Sequence, residues 1–284
     1  RARRHHRARG SHELDRGALS SSATRVFTAV LSLVLLFGST AARPAHAQDQ
    51  PFAKSAFEHV WQRVDGPVAD ARATRSWLWG PEPRTPGLRE RYLDSPDNER
   101  TVQYFDKGRM EINQPDADPS DPWFVTSGLL TRELISGKIQ IGDDTYLDTG
   151  EGADLHVAGD PQVAFPHYRH LEDLVDRSQP DRTGARADQT LTPKGLIEDV
   201  SSPDDPQAEF VQYQQYLGPD GATVGYNIPL AFWDYMHESG IVYEADGRPV
   251  TTDPLFSWIY VLGYPISDPF WVEVPVDGRA HWVR

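Results

Sequence analysis

Ser76-Trp77-Leu78-Trp79 runs straight into Gly80-Pro81, and Ser257-Trp258-Ile259-Tyr260 precedes Gly263-Tyr264-Pro265 near the other end. Tryptophan is costly to expose and hard to bury completely. Gly and Pro turn the chain where they stand. An aromatic helix precedes each stretch and a strand-prone stretch follows it. The recurrence reads as an internal repeat. It confines the chain to short units in which Trp closes the gap between a helix and a hairpin. The expected fold class is therefore α+β, with short antiparallel hairpins braced by short aromatic helices in two related units. As packing residues, Trp77 and Trp258 should each cost about 3–5 kcal/mol on truncation to Ala.

Local patterns place the pieces. Phe57, Val60, Trp61 and Val64 recur at i, i+3, i+4, i+7, one face of a helix, and Asp65-Gly66-Pro67 should stop it. Thr101–Phe105 and Arg109–Ile112 flank an Asp106-Lys107-Gly108 turn, which predicts a hairpin pairing Tyr104 near Met110. "LLTRELISG" reads as a helix ending at Gly137, followed by short strands and turns. "PHYRHLEDLVD", 166–176, reads as a further helix. Residues 177–207, rich in Asp, Pro, Ser, Thr and Gly, read as a linker or long surface crossing. "EFVQYQQYL" and "ATVGYNI" predict a second hairpin around "GPDG". Residues 229–239 form a helix with Pro in its first turn and Gly240 after its end. Two strand-like runs surround Asp277-Gly278.

The N-terminal 47 residues differ in kind. A basic segment, the apolar run "VFTAVLSLVLLF" and the small-residue pair Ala45 and Ala47 read as a secretory signal peptide cleaved after Ala47. The run of 12 is too short to span a bilayer. The expected organisation is a signal peptide (1–47), a first repeat-like unit (48–165), a helix and linker (166–207) and a second, C-terminally truncated unit (208–284). The chain opens on Arg, and "AHWVR" reads as mid-strand, so it is expected to be a piece of a longer frame.

Residues 48–284 hold 20 basic and 40 acidic side chains, a net charge of −20. Such a surface repels nucleic acid and anionic lipid heads. Neutral glycans, cationic groups and calcium remain as partners. The chain has no cysteine, so disulfides, thiol nucleophiles and Cys-ligated metals are excluded and stability must come from burial.

The segments "F-x3-W … WGP … VQYFDKGRMEIN" and "FWDYM-x3-G … LGYPISDPFW" resemble repeats of uncharacterised secreted bacterial proteins. These are distantly similar to the LGFP repeats of cell-wall-associated proteins. The resemblance covers roughly residues 57–113 and 230–284. Gly80-Pro81 lacks the intervening residue of a Gly-x-Pro turn, and the second hairpin of the pattern is missing. The resemblance implies a supporting or targeting module beside a separate wall-active domain, and no catalytic residue here.

Motifs for chemistry are sparse. G-x-S-x-G, S-x-x-K and H-E-x-x-H are absent. His59, His156, His167, His170, His237 and His281 could join a dispersed triad only through tertiary structure. His167 and His170 at i, i+3 could share zinc with Asp173, against the plainer reading of a solvated helix face. Glu82 and Glu111 are a candidate glycosidase pair among many acids. Asp116, Asp118 and Asp121 open like a calcium loop, but Asp121 and Ser127 stand where Gly and Glu belong. Asp143, Asp144 and Asp148 form another acidic cluster. A solvated loop is the expectation at both, with calcium the alternative and no other cofactor expected. Among eight Trp, eleven Tyr and eleven Phe, the rings beside turns or strand ends are the candidate ligand surface: Trp79, Tyr104, Trp123, Tyr260 and Trp271.

The leading expectation is a secreted, cell-envelope-associated, non-catalytic module that binds glycan or presents a neighbouring domain. The alternatives are a wall glycan or peptide hydrolase with a carboxylate/His cleft between the units, and a structural surface-layer component.

Overall fold

Phe57, Trp61 and Val64 fall on one face of α1 (Ser55–Val64) and all three are buried. The computed structural model describes residues 51–197, 210–218 and 221–284. The expected signal peptide and part of the expected linker lie outside these residues. α1 ends at Asp65, but Gly66-Pro67 does more than stop it. These residues open a second single-turn helix, α2 (Gly66–Ala69), because Pro in a first turn sacrifices no helical hydrogen bond.

The strands β1 (Leu88–Arg91), β2 (Glu99–Tyr104) and β3 (Arg109–Ile112) form an antiparallel three-stranded sheet in the order β1-β2-β3. Tyr104 pairs with Arg109, beside Met110 as the turn predicts. α3 (Leu130–Ser136) ends at Gly137 in the left-handed conformation. The hairpin β4 (Lys138–Gln140) with β5 (Tyr146–Asp148) follows. The helix expected at 166–176 is a 3-10 helix, Tyr168–Leu174. Within the stretch expected as a linker, β6 (Thr190–Thr192) pairs with β7 (Gly195–Ile197), and Ala187, Thr190 and Leu191 are buried.

The longest hairpin joins β8 (Val211–Leu217) to β9 (Thr223–Pro229). Next come α4 (Leu230–Met236), β10 (Gly240–Tyr243) paired with β11 (Pro249–Thr252), and α5 (Trp258–Val261). The last hairpin is β12 (Val272–Val276) with β13 (Arg279–Val283). Its turn residues Asp277 and Gly278 both have positive φ, 51° and 70°, as a tight hairpin turn of primed type requires. The fold is α+β: small antiparallel hairpins and short helices. Among the described residues no helix is long and apolar enough to cross a membrane.

Among the described residues, two buried clusters hold these pieces together. The larger takes Phe57, Trp61, Trp79, Phe105 and Met110 from the N-terminal elements and Val242, Leu255 and Phe256 from the C-terminal ones. Residues of both expected units therefore meet in one core. The smaller cluster gathers Ile135, Leu171, Leu191, Val272 and Val274.

The two tryptophan stretches adopt different backbones. Ser76–Trp79 is irregular, whereas Trp258–Val261 is helical. Trp77 and Trp258 are both only partly buried against the larger cluster. The fully enclosed ring is Trp79, 1% exposed. Trp61 donates its indole N–H to the Gly80 carbonyl at 2.7 Å and stacks on Trp77 at 6.2 Å. Gly80 sits at φ 123°, and a Cβ there would lie 2.6 Å from Asp106 Cβ. Only glycine suits that position.

Candidate functional site

α1, the loop at 119–125 and the segment from Thr252 to Val261 enclose a cleft of about 930 Å³. Its walls are mostly apolar. Val60 comes from α1, while Trp123 and Phe124 come from the loop. Pro254, Trp258 and Tyr260 come from the C-terminal segment. The volume lies in the range of small-molecule sites, where a few polar groups set orientation within an apolar lining. Those groups here include His59, Asp121, Asp253 and Ser257.

Trp123 is 59% exposed, an unusual position for so large an apolar ring. Its backbone N–H donates to Asp121 Oδ1 at 2.8 Å, which fixes the ring's stem. The Tyr260 ring centre lies 5.5 Å away, tilted by 57°. Tyr260 donates its hydroxyl to the Val125 carbonyl, and burial pushes the phenol well above its ordinary range. One aromatic is thus pinned from beneath, and the other stands in solvent against it.

The other three candidate rings offer no such surface. Trp79 lines the cleft but lies almost wholly inside the core, so it offers no free face. Trp271 is 4% exposed, donates its indole N–H to the Ala187 carbonyl at 2.9 Å, and is covered by the Arg284 guanidinium at 4.5 Å. Tyr104 donates its hydroxyl to Glu90 at 2.9 Å and accepts from Arg109 at 3.3 Å. Adjacency to a turn pointed to these rings, but burial is decided by what packs over the turn.

Tyr104 belongs to a buried ion network that sequence reasoning missed. Arg100 Nη1 reaches Glu111 Oε2 at 3.0 Å. Arg109 reaches Glu133 at 2.9 Å and Glu111 at 2.5 Å. Burial works against the Arg109 charge, but Glu111 and Glu133 outweigh it and raise its pKa. Burial pushes the Glu111 carboxyl up, with Arg109 and Arg100 pulling it back. Glu111 is 1% exposed and held by two guanidinium groups. It is a structural ion, not a free glycosidase carboxylate. The alternation of Arg109, Met110, Glu111 and Ile112 hinted at one apolar face, yet both faces of β3 are covered.

The histidine readings change too. His167 Nδ1 contacts Asp154, and Nε2 lies 2.7 Å from the Val163 carbonyl. His170 Nδ1 accepts the His167 backbone N–H at 2.9 Å. Both His167 nitrogens are thus occupied by protein oxygens, and the shared-zinc arrangement with Asp173 does not form. Asp118 accepts from the Ser120 backbone and hydroxyl, which holds its carboxyl below the usual range. Asp116 and Asp144 are exposed. Asp143 accepts from Tyr92 at 2.7 Å, and Asp148 from the Gly150 N–H at 2.8 Å. Among the described residues, no three His, Asp or Glu side chains are grouped to hold a metal ion.

His59, Ser257 and Asp253 share the cleft, the residue types of a hydrolytic triad. Among the described residues no hydrogen bond joins them, whereas a nucleophile and its base are expected within about 2.6–3.2 Å. His59 was singled out in sequence only as one of several histidines. Its place beside Val60 on the cleft side of α1, next to the Phe57–Trp61 face, was the signal available.

No family model, curated protein or solved structure matches this chain.

Proposed function

We propose that the chain is a secreted, cell-envelope-associated, non-catalytic module whose cleft binds a glycan. The observation that carries this reading is the Trp123–Tyr260 pair: an exposed indole braced by a pinned phenol at the mouth of a 930 Å³ cleft. Sugar rings present apolar C–H faces and a polar rim. An exposed aromatic face with carboxylate, hydroxyl and imidazole groups beside it matches both. The leader-like N-terminus supports export.

The test is co-sedimentation of the full chain with insoluble cell-wall polysaccharide, alongside Trp123→Ala. The reading predicts that the wild type sediments and that the variant stays in solution at an unchanged melting temperature. Equal sedimentation of both, or of neither, would refute it.

A further inference from the structure

The polar groups of the cleft also select by charge. We infer that the glycan bound there carries positive charge, as a sugar chain with free amino groups does; this rests on the glycan reading above. Asp121 and Asp253 both line the cleft, together with Trp123, Trp258 and Tyr260. Asp121 is tied to Trp123 through the backbone hydrogen bond at 2.8 Å, so a carboxylate stands two residues from the exposed ring. Tyr260 packs directly against Trp123, with ring centres 5.5 Å apart and tilted by 57°, and the 59% exposure of Trp123 leaves indole surface free for a guest. Aromatic groups so arranged attract ammonium ions through the negative faces of their rings, more strongly as the site is desolvated.

The basic side of the cleft does not cancel this. Among the described residues no lysine lines it, and its basic residues are His59 and Arg63. Arg63 donates to the Tyr243 carbonyl at 3.5 Å, and Tyr243 is not a cleft residue. The net charge of −20 over residues 48–284 adds a long-range field that draws cations to the surface. An N-acetylated sugar offers the same ring faces without the charge, so the two forms separate charge from shape.

The experiment is calorimetric titration of the full chain with a β-1,4-linked glucosamine tetramer and with its fully N-acetylated counterpart, below the amine pKa. The expected result is about tenfold tighter binding of the amine form at low salt. That margin should shrink as salt screens the carboxylates. Asp121→Asn and Asp253→Asn should each weaken the amine tetramer more than the acetylated one and so reduce the margin. Asn at 121 retains the oxygen that accepts from Trp123. If the acetylated tetramer binds as tightly as the amine, or if the margin survives both substitutions, the charge inference is overturned and the glycan reading stands. If neither tetramer binds, both are overturned.

Discussion

Asp65 accepts the backbone N–H of Trp79 through Oδ2 at 2.7 Å. The same side chain accepts from Leu78 at 2.8 Å and from Gly80 at 3.2 Å. One carboxylate at the end of α1 thus satisfies three consecutive N–H groups of the tryptophan stretch. This answers why two tryptophans stand beside a chain-breaking turn. The turn's backbone is tied to α1 by Asp65 and by the Trp61 indole, and Trp79 is driven into the core. Burial pushes the Asp65 carboxyl up, and the three donors and Arg75 pull it back down.

Replacing Asp65 by Ala removes the two oxygens that accept all three bonds, at a site with no solvent exposure. Each orphaned buried donor costs about 1–3 kcal/mol. Asp65→Ala should therefore lower stability by about 3 kcal/mol or more, read as a shift of the urea midpoint. Asp65→Asn, which keeps one oxygen, should cost less.

The tryptophans should rank by burial and not by their place in the repeat. Trp79→Ala should cost about 3–5 kcal/mol. Trp77→Ala and Trp258→Ala, at partly exposed positions, should cost about 1–3 kcal/mol each. Denaturant titration of the three variants checks the order. Equal losses would contradict the structure.

Much of the local architecture is legible in the sequence. The spacing of Phe57, Trp61 and Val64 gave α1, and Asp106-Lys107-Gly108 and Asp277-Gly278 gave two hairpins, because these signals are carried by neighbours in sequence. What was not legible depends on distant contacts. Trp79 and Trp123 both stand beside turns, yet one is enclosed by α1, Phe105 and the C-terminal segment while the other is left in solvent. Glu111 meets Arg100 from the neighbouring strand and Arg109 on its own strand, and Glu133 from α3 reaches the same Arg109, a convergence that no local pattern encodes. Tyr168–Leu174, helix-like in its periodicity, is a 3-10 helix whose Leu171 packs in the smaller cluster.

Glu111 offers a direct contrast with Glu82. Removing Glu111 leaves two buried guanidinium groups short of a counter-charge, Arg109 keeping Glu133 and Arg100 keeping Glu90, at about 3–5 kcal/mol. Glu111→Ala should cost that much, while Glu82→Gln at a half-buried position should cost less than about 1 kcal/mol. Thermal unfolding of the two variants measures the difference.

His167 and His170 should give stability opposite pH dependences. The His167 ring can donate to both Val163 and Asp154 only as a cation, so the carbonyl and then the carboxylate raise its pKa. Its stabilisation is complete below the ordinary histidine value of about 6.5 and is lost as pH rises through the raised folded value. Burial, with the charges of Arg169 and His167, lowers the His170 pKa. Its contribution is present above about 6.5 and is lost as pH falls through the lowered value. Stability curves of His167→Gln and His170→Gln, each subtracted from wild type across that interval, should slope in opposite directions.

The glycan-binding cleft is tested most directly by recording the tryptophan indole N–H resonances of the full chain during titration with a soluble wall oligosaccharide. The Trp123 signal, assigned by its disappearance in Trp123→Phe, should move with saturation. The signals of the enclosed Trp79 and Trp271 should stay in place. A titration that leaves Trp123 unmoved, or that moves Trp271 instead, would contradict binding at this cleft.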